Sequence, residues 1–161
     1  TLAYNTQQQM MRMIQQPPWI AGDHLDMTGM LRAFQQFWRE NSEMWQARYD
    51  YREAAPHIIL QAFLQRVING GGQIVREYAL GRQRLDLLVC WQGNRYALEL
   101  KMKEQYRPDT AHDQMFGYLD RLGLTEGWLA VFDRDPSVSW DTKLTWRTIG
   151  FEGKTLHLVG L

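Results

Sequence analysis

An α/β domain with a mixed central sheet flanked by helices, preceded by a helical extension, is the fold class that the sequence predicts. Three observations predict it. Residues 84–101 join an apolar run, Arg84–Trp91, to an alternating one, Arg95–Lys101, across the turn residues Gln92-Gly93-Asn94, a β-hairpin signature. Segments of helical periodicity stand on both sides of that hairpin. Gly127–Asp133 (GWLAVFD) is apolar without alternation, the pattern of a strand covered on both faces.

The bulk properties narrow the classes of function. A chain of 161 residues, 45% hydrophobic with seven Trp, can bury a real core and is not a disordered segment. Lys plus Arg and Asp plus Glu are 18 each, so nucleic acid would have to be held by a local patch and not by a global field. One Cys excludes an internal disulfide and a cysteine-cluster zinc site, in keeping with a reducing cytoplasm. Neither a signal peptide nor an apolar run of membrane-spanning length is evident, so no membrane partner is expected. The first residue is Thr, which points to a piece of a longer protein. The expected division is a helical extension or linker over residues 1–50 and the α/β domain over 51–161.

Taken in order, the Gln- and Met-rich start suggests a short helix over about Thr6 to Gln15, ended by Pro17-Pro18. Asp26 suits the N-cap of a helix running to about Gln46, with Met27, Met30, Leu31, Phe34, Phe37 and Trp38 on one stripe. That stripe fits a core face or a docking face. His24 has no companion at metal-ligand spacing and reads as a surface or capping residue. A second helix is expected over Ala54–Ile68, with Pro56 in its first turn and Ile59, Ala62, Phe63, Arg66 and Val67 at helical spacing. Glu53 at its entrance is either a carboxylate favoured by the helix dipole or a member of an acidic site. Asn69-Gly70-Gly71-Gly72 stops the helix.

Gln73–Leu80 reads as an edge strand. Its Glu77 is a solvated side chain or a competing acidic candidate. The hairpin follows, and after it a polar segment, Met102 to Asp109. Asp109 or Thr110 then caps a helix of about Ala111 to Leu122, with Met115, Leu119 and Leu122 inward and Gln114 and Tyr118 together on one face. His112 on this helix reads as a satisfied surface residue or one that supports the site, not a ligand. Gly123 ends the helix, and the apolar strand comes next. Lys143–Ile149 and Lys154–Val159 are expected to close the fold as a hairpin, covered by Trp140 and Trp146, with His157 facing solvent.

The hairpin carries the chemistry. Ala97, Glu99 and Lys101 share one strand face, while Tyr96, Leu98 and Leu100 share the other. Asp86 lies among Leu85, Leu87, Leu88 and Val89, where a carboxylate is costly unless something compensates it, and a bound cation is one such thing. Pairing around the turn would let Asp86, Glu99 and Lys101 converge.

An Asp on one strand and Glu-x-Lys on the next resembles the PD-(D/E)XK nuclease pattern. The helix–strand–strand–strand–helix–strand order over about residues 53–133 is similar to that superfamily's restriction-endonuclease-like core. Gln114-x-x-x-Tyr118 directly after the E-x-K strand resembles a further hallmark of its RecB-like members. The wording REYALGRQRLDLLVCW, with ELK after it, looks in particular like the nuclease-like domain at the C-terminus of bacterial AAA-type ATPases. One departure is plain: Leu85, not Pro, precedes Asp86.

The resemblance implies a metal-dependent DNA nuclease, with an ATPase domain ahead of it on the same polypeptide; DNA over RNA comes from the resemblance alone. In that reading Asp86, Glu99 and the backbone carbonyl of Leu100 hold magnesium, or manganese in its place, and Lys101 orients the attacking water. Glu53 is the acidic residue that such nucleases often carry on their first helix, and Gln114 and Tyr118 support the site. Arg76, Arg82, Arg84, Lys103 and Arg107, with Arg95, form a local basic excess for phosphate contacts. The alternatives are a catalytically inactive nuclease-fold module for nucleic-acid binding or assembly, and a structural domain whose acids pair with Arg82, Arg84 or Lys101. Oligomeric state is left open, a homo-oligomer included.

Overall fold

The computed structural model describes residues 19–48, 54–68 and 71–161. The expected helix over Thr6 to Gln15, and Glu53, lie outside them. Described elements begin with a small antiparallel pair, β1 (Ile20–Ala21) and β2 (His24–Leu25), followed by α1 (Met27–Arg48) and α2 (Ala54–Ile68). Next come β3 (Gly72–Leu80), β4 (Gln83–Trp91), β5 (Asn94–Met102), α3 (Pro108–Leu122) and β6 (Glu126–Phe132). A one-turn helix α4 (Trp140–Lys143) and the hairpin β7 (Trp146–Phe151) and β8 (Lys154–Gly160) complete the chain.

Six strands form one mixed sheet in the order β3-β4-β5-β6-β8-β7. The β3, β4 and β5 strands run antiparallel, β5, β6 and β8 parallel, and β7 antiparallel to β8. Two of the hairpin turns, Gln92-Gly93 and Glu152-Gly153, have positive φ at both residues, matching the right-handed twist of the strands they join. The parallel pair β5 and β6 requires a crossover, and α3 supplies it.

Alternation along the strands builds two apolar layers. One face, with Leu87, Val89, Leu98, Leu100, Ala130 and Phe132, packs on α1 and α2. Trp38 meets Phe132 edge-on at 5.6 Å, and Phe34 meets Phe63 at 5.4 Å. Thus α1 is a layer of this core. The other face, with Leu88, Ala97, Leu129, Leu156 and Leu158, takes the inner stripe of α3, namely Met115, Leu119 and Leu122. No described helix is long and apolar enough to cross a membrane.

Most local expectations hold. Asp26 does cap α1, its Oδ1 accepting from the Gly29 N–H at 2.9 Å. Four do not. Among the described side chains the inner stripe of α2 is Ile59, Leu60, Phe63, Leu64 and Ile68, while Ala62 is exposed, because the largest side chains win the face; the expected Val67 lies outside them. The α3 helix begins at Pro108, not after Asp109 or Thr110: a proline lacks the N–H that a first turn leaves unbonded anyway. Lys143 ends a helical turn capped by Ser139, so the last hairpin starts at Trp146. His157 does not face solvent. It stacks on Trp128 at 5.5 Å, and its Nε2 lies 2.6 Å from Glu126 Oε1.

Gly160 closes the sheet against the segment after α4, its N–H donating to the Thr145 carbonyl at 2.9 Å. A Cβ there would run into the Lys143 carbonyl oxygen and the Thr145 side chain, whereas one at Gly127 would meet the flexible ends of Leu119 at 2.9 Å and Met115 at 3.2 Å. Gly160→Ala should therefore cost about 3 kcal/mol or more and Gly127→Ala about 1 kcal/mol, a ranking that urea unfolding of the two variants checks.

Candidate active site

The site forms where the sheet's own hydrogen bonding lapses. The β3–β4 register pairs Arg76 with Leu87 and Tyr78 with Leu85, skipping Glu77 and Asp86, and Glu77 adopts a positive φ of 48°. The β4–β5 ladder ends at Leu87 opposite Leu98. Asp86 thus has no ladder partner on either side. The break also turns the strand: Leu85 joins the α3 layer, although strict alternation would put it with Leu87 on the opposite face.

Two side chains replace the missing rungs. The Asp86 N–H donates to Glu99 Oε2 at 3.1 Å, and the Leu100 N–H donates to Asp86 Oδ2 at 2.8 Å. Each carboxylate therefore satisfies a backbone donor of the other's strand. Glu99 is buried at 4% exposure on the α3 side of the sheet, and Lys101 Nζ lies 3.5 Å from its Oε1. Asp86, Glu99 and Lys101 do come together. Burial first, and the neighbouring Asp86 second, push the Glu99 pKa up to about 7, with the Asp86 N–H and the Lys101 ammonium offsetting part of the shift.

Helix α3 pins the broken strand from above. Gln114 Nε2 donates to the Tyr118 hydroxyl at 2.7 Å, and that hydroxyl donates to the Arg84 carbonyl at 2.9 Å, two residues before Asp86. Burial and the charges of Glu99 and Asp86 raise the Tyr118 pKa to about 12, so the phenol remains a donor. Gln114 and Tyr118 thus hold the strand that carries Asp86.

Arg82 and Arg84 are exposed at the start of β4, which lies against Tyr118 and Arg121 in the C-terminal half of α3, and Lys103 and Arg107 are exposed beyond β5, ahead of that helix's first turn. Arg76 is exposed on β3 opposite Leu87. Arg84 meets Glu77 at 3.9 Å, a solvated contact, and Arg107 Nη1 donates to the Glu104 carbonyl at 3.0 Å. Arg95 does not belong with this group. It lies toward the hairpin turn, opposite Cys90, and donates to the Leu122 carbonyl at 2.7 Å, where a cation suits the end of α3. Tyr106, Lys143 and Arg147 gather with Lys103, brought by the strand order and by no sequence spacing.

Among the described residues no group of three or more His, Cys, Asp or Glu comes together for a metal. The two acids present still fit a magnesium ion. All their donors are hard oxygens, and each carboxylate keeps one oxygen, Asp86 Oδ1 and Glu99 Oε1, free of backbone N–H groups. The Leu100 carbonyl points to the same strand edge as its N–H, toward Asp86. A cation would also relieve the repulsion that raises Glu99. No protein-family model, curated protein or solved structure matches the chain.

The raised pKa sets a pH dependence in metal-free buffer. Folding favours the protonated Glu99, so its contribution is whole below the ordinary pKa of 4.5 and is lost as pH rises through about 7. Thermal melts in chelator should show a loss on the order of 3 kcal/mol over that window. Glu99→Gln, which keeps an acceptor oxygen without the charge, should flatten the profile and be the more stable protein at neutral pH.

Proposed function

We propose that the chain is a metal-dependent nuclease domain of the PD-(D/E)XK type that hydrolyses phosphodiester bonds of DNA, within a longer polypeptide that carries an ATPase. One observation carries the reading: two carboxylates from adjacent strands and a lysine meet at a break in the sheet, one of the acids buried and destabilised when charged. The Asp, Glu-x-Lys and Gln-x-x-x-Tyr elements are those of the nuclease pattern, and a mixed sheet flanked by helices is compatible with a restriction-endonuclease-like core.

Asp86, Glu99 and the Leu100 carbonyl would hold magnesium, which when bound supplies charge neutralisation at the phosphoryl oxygens and a more acidic water. Lys101, beside Glu99 and partly exposed, is positioned to orient the attacking water and to stabilise negative charge as it develops. Tyr118 and Gln114 keep the Asp86 strand in place. Arg76, Arg82, Arg84, Lys103 and Arg107 offer phosphate contacts around the acids.

A second reading, an inactive module for nucleic-acid binding or assembly, draws on the same hydrogen bonds: each acid already has a backbone partner, so a structural use for both exists.

Cleavage of single- and double-stranded DNA in magnesium or manganese separates the two. Asp86→Asn, Glu99→Gln and Lys101→Met should each slow cleavage by at least about a hundredfold with the fold intact. Magnesium should raise the melting temperature of the wild type by mass action and leave that of Asp86→Asn unchanged. No cleavage, no magnesium shift and a destabilised Asp86→Asn would establish the module in place of the enzyme.

A further inference from the structure

At the carboxyl ends of the parallel strands β5, β6 and β8, the structure contains a cavity of about 640 Å³. Crevices at this end of parallel strands are where open α/β sheets commonly take ligands, and the volume suits one. Lys101 pairs with Val131 across β5 and β6, so the cavity begins one strand away from the lysine.

Its lining is specific in character. Val131 and Leu158 contribute apolar surface from the α3 face of the sheet, and Tyr106 contributes an aromatic ring. That ring is held by its hydroxyl, 2.5 Å from His112 Nε2. Lys103, Lys143 and Arg147 bring three cations against one carboxylate, Asp133, and none of the three forms an ion pair among the described residues. Asp133 already accepts the Asp135 N–H at 2.9 Å. An apolar slot, a fixed ring and unbalanced cations together select a ligand that is flat at one end and anionic at the other.

We infer that this cavity holds one nucleotide of a single-stranded stretch of the substrate, its base against Tyr106 and the Val131–Leu158 surface and its phosphate at Arg147 and Lys103. That the nucleotide belongs to a strand rests on the nuclease reading; the cavity's preference for an aromatic phosphate rests on its own residues.

The test is a titration in chelator, where nothing is cleaved, of the protein with a short single-stranded thymidylate oligonucleotide, with thymidine monophosphate and with inorganic phosphate. The oligonucleotide should bind most tightly. Arg147→Ala and Tyr106→Leu should each weaken it about tenfold or more, within the range for loss of a phosphate contact or a stacked base, while Arg121→Ala leaves it unchanged. Tighter binding of the mononucleotide than of the oligonucleotide would overturn the strand assignment, and equal binding of inorganic phosphate would overturn the nucleotide altogether. Cleavage with oligonucleotide affinity indifferent to Arg147→Ala would overturn the cavity and leave the nuclease standing. Arg147-dependent binding without any cleavage would uphold the cavity and end the nuclease reading.

Discussion

The exchange of backbone donors between Asp86 and Glu99 is the interaction on which the candidate site depends. A sheet cannot leave interior N–H groups unbonded without a penalty of about 1–3 kcal/mol each. Where β4 parts from both neighbours, the N–H groups of Asp86 and Leu100 would be such orphans. Each is answered by a carboxylate from the opposite strand. The two acids are therefore held at a fixed separation by hydrogen bonds made through one oxygen apiece, and the remaining oxygens are left to other uses.

That arrangement stores unfavourable electrostatics in a defined place. Glu99 is buried beside another acid, and Lys101 compensates it incompletely, so the Glu99 pKa stays raised. Removing water from a charge is tolerated when geometry and partners are good, and a buried ionisable group in tension with its surroundings is more common at working sites than elsewhere. The tension persists because α3 clamps the broken strand through Tyr118 and Gln114, and because the apolar layers on both faces keep β4 and β5 in register on the far side of the break.

Charge distribution follows the same logic. The chain is neutral overall, yet among the described residues Lys103, Lys143 and Arg147 gather where the parallel strands end. This is a property of strand direction. β5 delivers Lys103 to the carboxyl end of the parallel strands, and β7, antiparallel to β8, delivers Arg147 to the same end.

Much of this was legible in the amino-acid sequence because it is encoded by neighbours in the chain. The hairpin turn at Gln92-Gly93, the alternation that puts Glu99 with Lys101, the extent of Ala54–Ile68 and the shared face of Gln114 and Tyr118 are all short-range consequences of backbone geometry. What the sequence alone determined is thus the longer elements and the shared faces of Glu99 with Lys101 and of Gln114 with Tyr118, while β1, β2, α4 and the inner stripe of α2 escaped it. The tertiary structure decided the rest, because it turns on pairings between distant segments. Arg95 looked like a phosphate ligand until the sheet carried it to the C-terminal end of α3, and His157 looked solvated until Trp128 arrived from β6 to cover it. The carboxylate exchange itself arises where β4 skips one pair with β3 and ends its pairing with β5, a balance of twist and packing across three strands that no local pattern of residues records.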